Sequence, residues 1–205
     1  MTRRSPLRTV ALLGRGPGLA VLKDALLDNP RIELLGVVTH GRLPKGEGGG
    51  PRPELNSYEA ICRDRRIPLT VLDFPAALTV EEHLPDDLDL LLVLSWRFIL
   101  RPAALAKPRV GGINLHRGAL PEYAGAEPVR RAIEAGETRT AITAHRLAEE
   151  IDVGPEIARV WMDMPPPPAP MSGTEQAELI KERLLRLYAP LARLAIEALA
   201  DDGAV

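Results

Sequence analysis

Asp89-Leu90-Leu91-Leu92-Val93-Leu94 sets the fold. After one acidic residue the run is apolar without alternation, so neither face of this strand is left for water. Strands of that kind belong to parallel sheets covered by helices on both sides. Outward from it, Arg8 to Gly14 reads as another buried strand, and Gly14-Arg15-Gly16-Pro17-Gly18 as a tight turn into a helix ending near Asn29-Pro30. Further strands are expected at Ile32 to Thr39, Pro68 to Leu72, Thr140 to Leu147 and Glu156 to Trp161. Helices are expected near Ser57 to Arg66 and from Pro128 to about Ala135, where Pro128 in the first turn has no N–H to lose. This alternation of strand and helix predicts an α/β fold of the nucleotide-binding kind.

Composition narrows the function. At 205 residues, 45% of them hydrophobic, with a formal charge of -2, the chain is expected to be one domain with a real core. The near-neutral balance argues against a nucleic-acid binder and for a small ligand. No apolar run approaches the roughly 18 residues of a membrane span, and Met1-Thr2-Arg3-Arg4 leads into a strand, so a cytoplasmic protein without membrane contact is expected. Cys62 is the single cysteine, which permits neither an internal disulfide nor a zinc cluster, and no metal site is expected.

The glycine turn is not a dinucleotide fingerprint. Leu19 stands where the third glycine belongs, and the second strand ends in His40 instead of an acidic residue that would hold a ribose, which argues against a nicotinamide cofactor. Gly14 and Gly16 either let helix and strand pack or bring backbone amides to a substrate phosphate. The glycines and prolines of residues 41–53 are expected to forbid regular structure and leave a mobile loop, either solvated filler or a substrate lid. Lys45 there is not followed by Ser or Thr, so this is no P-loop.

The chemistry concentrates in Gly111-Gly112-Ile113-Asn114-Leu115-His116 and the turn Arg117-Gly118-Ala119-Leu120-Pro121-Glu122-Tyr123-Ala124-Gly125. Residues two apart in a strand share a face, so an amide and an imidazole stand side by side at a strand's C-terminal mouth, where open α/β sheets bind ligands. Asp152 falls on a loop that Gly154 and Pro155 keep from becoming a helix. The aromatic turn Trp96-Arg97-Phe98-Ile99 either bounds a flat ring or fills the core. Pro165 to Pro168 and Pro170 read as an extended spacer, and Ser172 with Glu175 as a capping box for a helix over residues 172–200. Its stripe of Ile180, Leu184, Leu187, Leu191, Leu194 and Ala198 is read as docking on the sheet, with a kink at Pro190; the same stripe also permits a homodimer.

Five segments in order carry a resemblance: Gly112 to His116, Leu120 to Ala126, Ala132 to Glu137, Thr143 to His145, and Glu150 to Pro155. They resemble the formyltransferases that use 10-formyltetrahydrofolate. The resemblance implies a Rossmann-like three-layer fold with a mostly parallel sheet of about seven strands, so that residues 1–205 would form a single catalytic domain. It places the family's catalytic Asn, His and Asp on Asn114, His116 and Asp152. An amide and a histidine N–H aimed at a formyl oxygen would stabilise it as charge develops, and a carboxylate would manage the amine's proton. His145 is either a supporting group or a core histidine. The resemblance further implies a folate pocket lined by Trp96, Arg97, Phe98 and Ile99 with Glu149, Glu150 and Ile151.

The acceptor is read from the departures. Arg117-Gly118 follows the histidine where relatives often have a serine, so Arg117 either binds an acceptor anion or pairs with Glu122 or Glu127. Arg117, Gly118 and Tyr123, with Gly14 and Gly16, are the candidate acceptor contacts. The glycine turn fits poorly the phosphate loop of a glycinamide ribonucleotide enzyme, and the extra C-terminal domain of the methionyl-tRNA enzymes is not expected. These features predict a small-molecule amine acceptor, such as a nucleotide-linked amino sugar or an ornithine-type side chain. A glycinamide ribonucleotide formyltransferase, a hydrolase releasing formate from the same folate, and a non-catalytic folate- or nucleotide-binding module are the alternatives.

Overall fold

The computed structural model describes residues 5–166 and 171–202. Seven strands form one sheet in the order β3-β2-β1-β4-β5-β6-β7. They are β1 (Leu7–Leu13), β2 (Ile32–Thr39), β3 (Leu69–Val71), β4 (Leu90–Leu94), β5 (Gly111–His116), β6 (Arg139–Arg146) and β7 (Glu156–Asp163). The first five are mutually parallel, while β6 runs antiparallel to β5 and β7 to β6. The fold is the Rossmann-like α/β class that the sequence predicts.

β4 is buried on both faces, as its lack of alternation requires. Leu90, Leu92 and Leu94 join one core cluster and Leu91 and Val93 the other. The first layer is built from α1 (Gly16–Val21), the π-helical turn Leu22–Leu26 that continues it, α2 (Leu55–Arg65), α4 (Pro128–Glu134) and α5 (Gly173–Asp202). The second is thinner, made of the 3-10 segment Ala76–His83 and α3 (Pro102–Ala106). Cys62 is buried in the first layer, and burial pushes its thiol up, which suits packing rather than nucleophilic chemistry.

The chain leaves β1 towards β2 and β3 on one side and returns to β4 on the other. The carboxyl ends of β1 and β4 therefore flank the switch point at which such sheets bind ligands. Gly14 is required there, because a Cβ would lie 1.9 Å from the Ser95 carbonyl oxygen.

Two expectations need correction. Residues 41–53 are not devoid of regular structure: Arg42 bridges Pro51 antiparallel, Leu43 N–H donates to Gly50 O at 2.8 Å, and Lys45–Glu47 form a 3-10 turn. Gly48 and Gly49, at φ of +93° and +62°, supply left-handed conformations that close the hairpin, so glycine here builds a turn. On α5, Ile180, Leu184 and Leu191 are buried as expected, but Leu194 is 48% exposed and Tyr188, Ala195 and Leu199 take the inner face. Steps of four residues advance by more than one turn, so the stripe winds around a 30-residue helix. The capping box forms, with Glu175 N–H donating to Ser172 Oγ at 3.2 Å and Ser172 N–H to Glu175 Oε2 at 2.8 Å. The expected proline spacer lies partly outside the described residues.

Candidate active site

β5 delivers Asn114 and His116 to one face of the sheet at its C-terminal end. The antiparallel register then sets His145 of β6 directly opposite Asn114. The loop after β6 brings Asp152 over this cluster, and its ends are tied down by Leu147 N–H to Gly112 O and Arg146 N–H to Pro155 O, both 2.8 Å. Gly154 makes that closure possible, since a Cβ would stand 1.8 Å from the Arg146 carbonyl oxygen.

Asp152 is the hub. Its Oδ2 lies 3.1 Å from His116 Nδ1 and accepts from Gly125 N–H at 2.9 Å. Its Oδ1 accepts from Asn114 Nδ2 at 3.2 Å and lies 3.3 Å from His145 Nε2. Burial opposes the charge on Asp152, yet the hydrogen bonds from His116 and His145, the nearness of His116 and the Gly125 N–H outweigh it and hold the carboxyl well below the usual carboxylate range. Its backbone adopts φ of +56°, a strained conformation that Asp tolerates better than most residues and that clusters at functional sites.

The two histidines are oriented from behind. His116 Nε2 meets Tyr123 O at 2.8 Å, and with Asp152 on Nδ1 both ring nitrogens face acceptors, so a ring making both bonds is an imidazolium. His145 Nδ1 meets Arg146 O at 2.9 Å, and its Nε2 lies between the Asn114 amide at 3.1 Å and Asp152 Oδ1 at 3.3 Å. Each of the four side chains thus contacts at least one other of the cluster.

Two clefts open onto the cluster. One, about 240 Å³, contains Trp96, Arg97, Phe98, Ile99, Glu149, Glu150 and Ile151 along its walls, with Asn114, His145 and Asp152 at its base. Ile99 and Ile151 are 70% and 59% exposed, large apolar side chains held out at a cleft mouth, and Trp96 Nε1 is buried without a hydrogen-bond partner. Trp96 and Phe98 serve both roles open to them, bounding the cleft and packing on the thinner core layer. The other cleft, about 400 Å³, is bordered by His116, Arg117, Tyr188 and Lys181.

The candidate acceptor residues separate. Arg117 lines the second cleft and donates from Nε to Tyr188 Oη at 3.1 Å; its partner is neither Glu122 nor Glu127, the latter lying 3.6 Å from Lys181. Gly118 and Tyr123 stand behind His116 instead of in the cleft. The Tyr123 carbonyl holds the imidazole and its hydroxyl donates to Glu137 at 2.9 Å, because the turn after β5 folds back beneath the ring. Gly14 and Gly16 border a separate cavity with His40, Arg52 and Ser95. His40 and Arg52 were not singled out for binding by sequence; the one signal was a histidine where a ribose-holding acid would stand.

Residues 77–167, the span holding all four cluster residues, match the formyl transferase family. That span belongs to the formyl transferase family. It is 32% identical over 181 residues to a methionyl-tRNA formyltransferase of Pseudomonas putida, covering 87% of this chain and 55% of that protein. A methionyl-tRNA formyltransferase of Methylobacterium nodulans is 31% identical over 191 residues, covering 91% and 58%. The chain therefore spans little more than half the length of these relatives. Among solved structures, glycinamide ribonucleotide transformylase 1 of Symbiobacterium toebii superposes with a TM-score of 0.76 at 18% identity, covering 98% of this chain and 90% of that one. A formyltetrahydrofolate deformylase of Pseudomonas syringae follows the same fold, with a TM-score of 0.73 at 19% identity and coverage of 96% and 62%. Among the described residues no cluster of His, Cys, Asp or Glu has metal-binding geometry, and no helix is long and apolar enough to cross a membrane.

Proposed function

We propose that this formyl transferase domain moves a formyl group from 10-formyltetrahydrofolate to the amine of a small molecule, with residues 1–205 acting as one catalytic domain in the cytoplasm. The convergence of Asn114, His116 and Asp152 between two clefts carries the reading. The Trp96 cleft suits the pterin: it has apolar walls, an unmet indole N–H and two stretches of loop backbone for a heterocycle's amide edge. The donor supplies the formyl carbon on its N10 nitrogen.

Asn114 and His116 stabilise the formyl oxygen as the acceptor nitrogen adds to the carbon, and the C–N10 bond then breaks. The cluster is closed on itself before substrate arrives, so an Asn114 N–H turns from Asp152, and the His116 Nε2–H from the Tyr123 carbonyl, to the formyl oxygen on binding; catalytic hydrogen bonds commonly reach final geometry only in the complex. A carboxylate held as low as Asp152 is a poor proton sink. Its hold on His116 keeps that ring aimed, while the amine's proton passes, directly or through water, to N10.

The experiment follows the folate product by absorbance, with and without a panel of amines: nucleotide-linked amino sugars, glycinamide ribonucleotide, hydroxyornithine-like compounds and methionyl-tRNA. Release that requires a small amine supports the proposal. Release only with methionyl-tRNA would replace the acceptor, as the names of the sequence relatives favour. Release without any amine would make the protein a hydrolase.

A further inference from the structure

Arg117 follows His116 directly and borders the second cleft, yet the reaction above gives it no task. It is half-buried, and its Nε donates to Tyr188 Oη at 3.1 Å. Among the described residues no carboxylate pairs with it: Glu127 and Glu178 lie 3.6 Å and 2.8 Å from Lys181 Nζ instead. Glu178 feels the charge of Arg117 without forming an ion pair with it. Both Nη nitrogens are therefore without a hydrogen-bond partner among the described residues. Tyr188, which borders the same cleft, is 1% exposed, and burial pushes its hydroxyl up, so the group stays protonated. Having accepted from Arg117, it keeps its own O–H to give, and no acceptor for that proton stands among the described residues.

A guanidinium edge with free N–H groups beside one O–H is a receptor made of donors alone, and its planar fork matches the two oxygens of a carboxylate. The charges point the same way. Lys181 is held between two glutamates, so Arg117 supplies one unbalanced positive charge, which suits a monoanion better than a dianionic phosphate. Glu127 and the ionised Asp152 border the same cleft and attract an ammonium group. A cleft with both signs along its wall fits a zwitterion. We infer that the acceptor is an amino acid, its carboxylate seated on Arg117 and the Tyr188 hydroxyl while its amine faces the formyl-transfer cluster. The inference rests on the transfer reading for the fate of the amine, and the carboxylate seat is tested by binding alone.

Calorimetric titration with no folate present tests it, using glycine, γ-aminobutyrate, ornithine and hydroxyornithine, each beside its methyl ester, which keeps the amine and loses the negative charge. At least one free acid should bind saturably in the millimolar range or below, at least tenfold more tightly than its ester. Arg117→Met should remove that preference, weakening the acid at least tenfold and leaving the ester unchanged. Arg117→Lys, a point charge without the fork, should restore only part of it, and Tyr188→Phe should weaken the acid severalfold. Circular dichroism checks each fold; should Arg117→Met not fold, Arg117→Lys and Tyr188→Phe carry the test. Four results would each overturn the carboxylate seat while leaving formyl transfer standing: equal affinity for acid and ester, equal weakening of both in the folded variants, tighter binding of aminoethyl phosphate than of any acid, or no saturable binding. Acid-specific binding without any amine-dependent release of folate would overturn only the reaction.

Discussion

Asp152 combines charge, burial and backbone strain in one residue, and each has a consequence. Asn114→Ala, His116→Ala and Asp152→Asn are each expected to lower the rate of formyl transfer by about 100-fold or more, the usual loss when an oxyanion donor or its orienting partner is removed. Folate affinity, measured by fluorescence titration, should change little, because the Trp96 cleft supplies most of that contact. A variant with near-normal turnover would remove that residue from the mechanism. The depressed carboxyl also links stability to pH: ionised Asp152 stabilises the fold above the ordinary carboxylate range near 4, and this contribution is lost as pH falls below about 5. In melting experiments from pH 7 to pH 3, Asp152→Asn should therefore lose less stability than the wild type; equal slopes would show that the carboxyl is not held low.

Among the elements, the loop from β6 to β7 and helix α5 separate function from stability. Gly154→Ala forces the loop off the Arg146 carbonyl and moves Asp152 with it. Formyl transfer should fall by an order of magnitude or more, since misplacement by about 1 Å costs about 100-fold, and steady-state kinetics against the wild type checks it. Ser172→Ala affects only the start of α5, where the capping box is exposed and far from the cluster in sequence. It should cost about 1 kcal/mol, lowering Tm by about 2–4 °C with turnover unchanged.

For the molecule as a whole, α5 closes the larger core layer, packing across β5, β6 and β7 as well as α1 and α4. Leu184, fully buried at its centre, joins that layer to the sheet. Leu184→Ala should destabilise the protein by about 2–5 kcal/mol, read as a shift in the denaturant midpoint with the slope preserved. A change below about 1 kcal/mol would mean that α5 is not part of the cooperative core.

Periodicity made the strands legible. An unbroken apolar run such as Leu90–Leu94 has few folded solutions, and the Asn-x-His spacing fixes two side chains on one face whatever surrounds them. Hence the parallel sheet, the placement of Asn114 and His116 and the loop position of Asp152 follow from residue order alone. Other features depend on contacts distant in sequence. That His145 faces Asn114 is a matter of strand register, that Tyr123 orients His116 through its carbonyl is a matter of how one turn folds back, and that Leu194 faces outward is a matter of how a long helix winds over a twisted layer. Arg52 makes the difference plain: in a Gly- and Pro-rich stretch an arginine reads as solvated, yet the hairpin closed by Gly48 and Gly49 turns it inward beside His40. A side chain's environment is set by the elements packed around it, and local sequence carries no record of which they are.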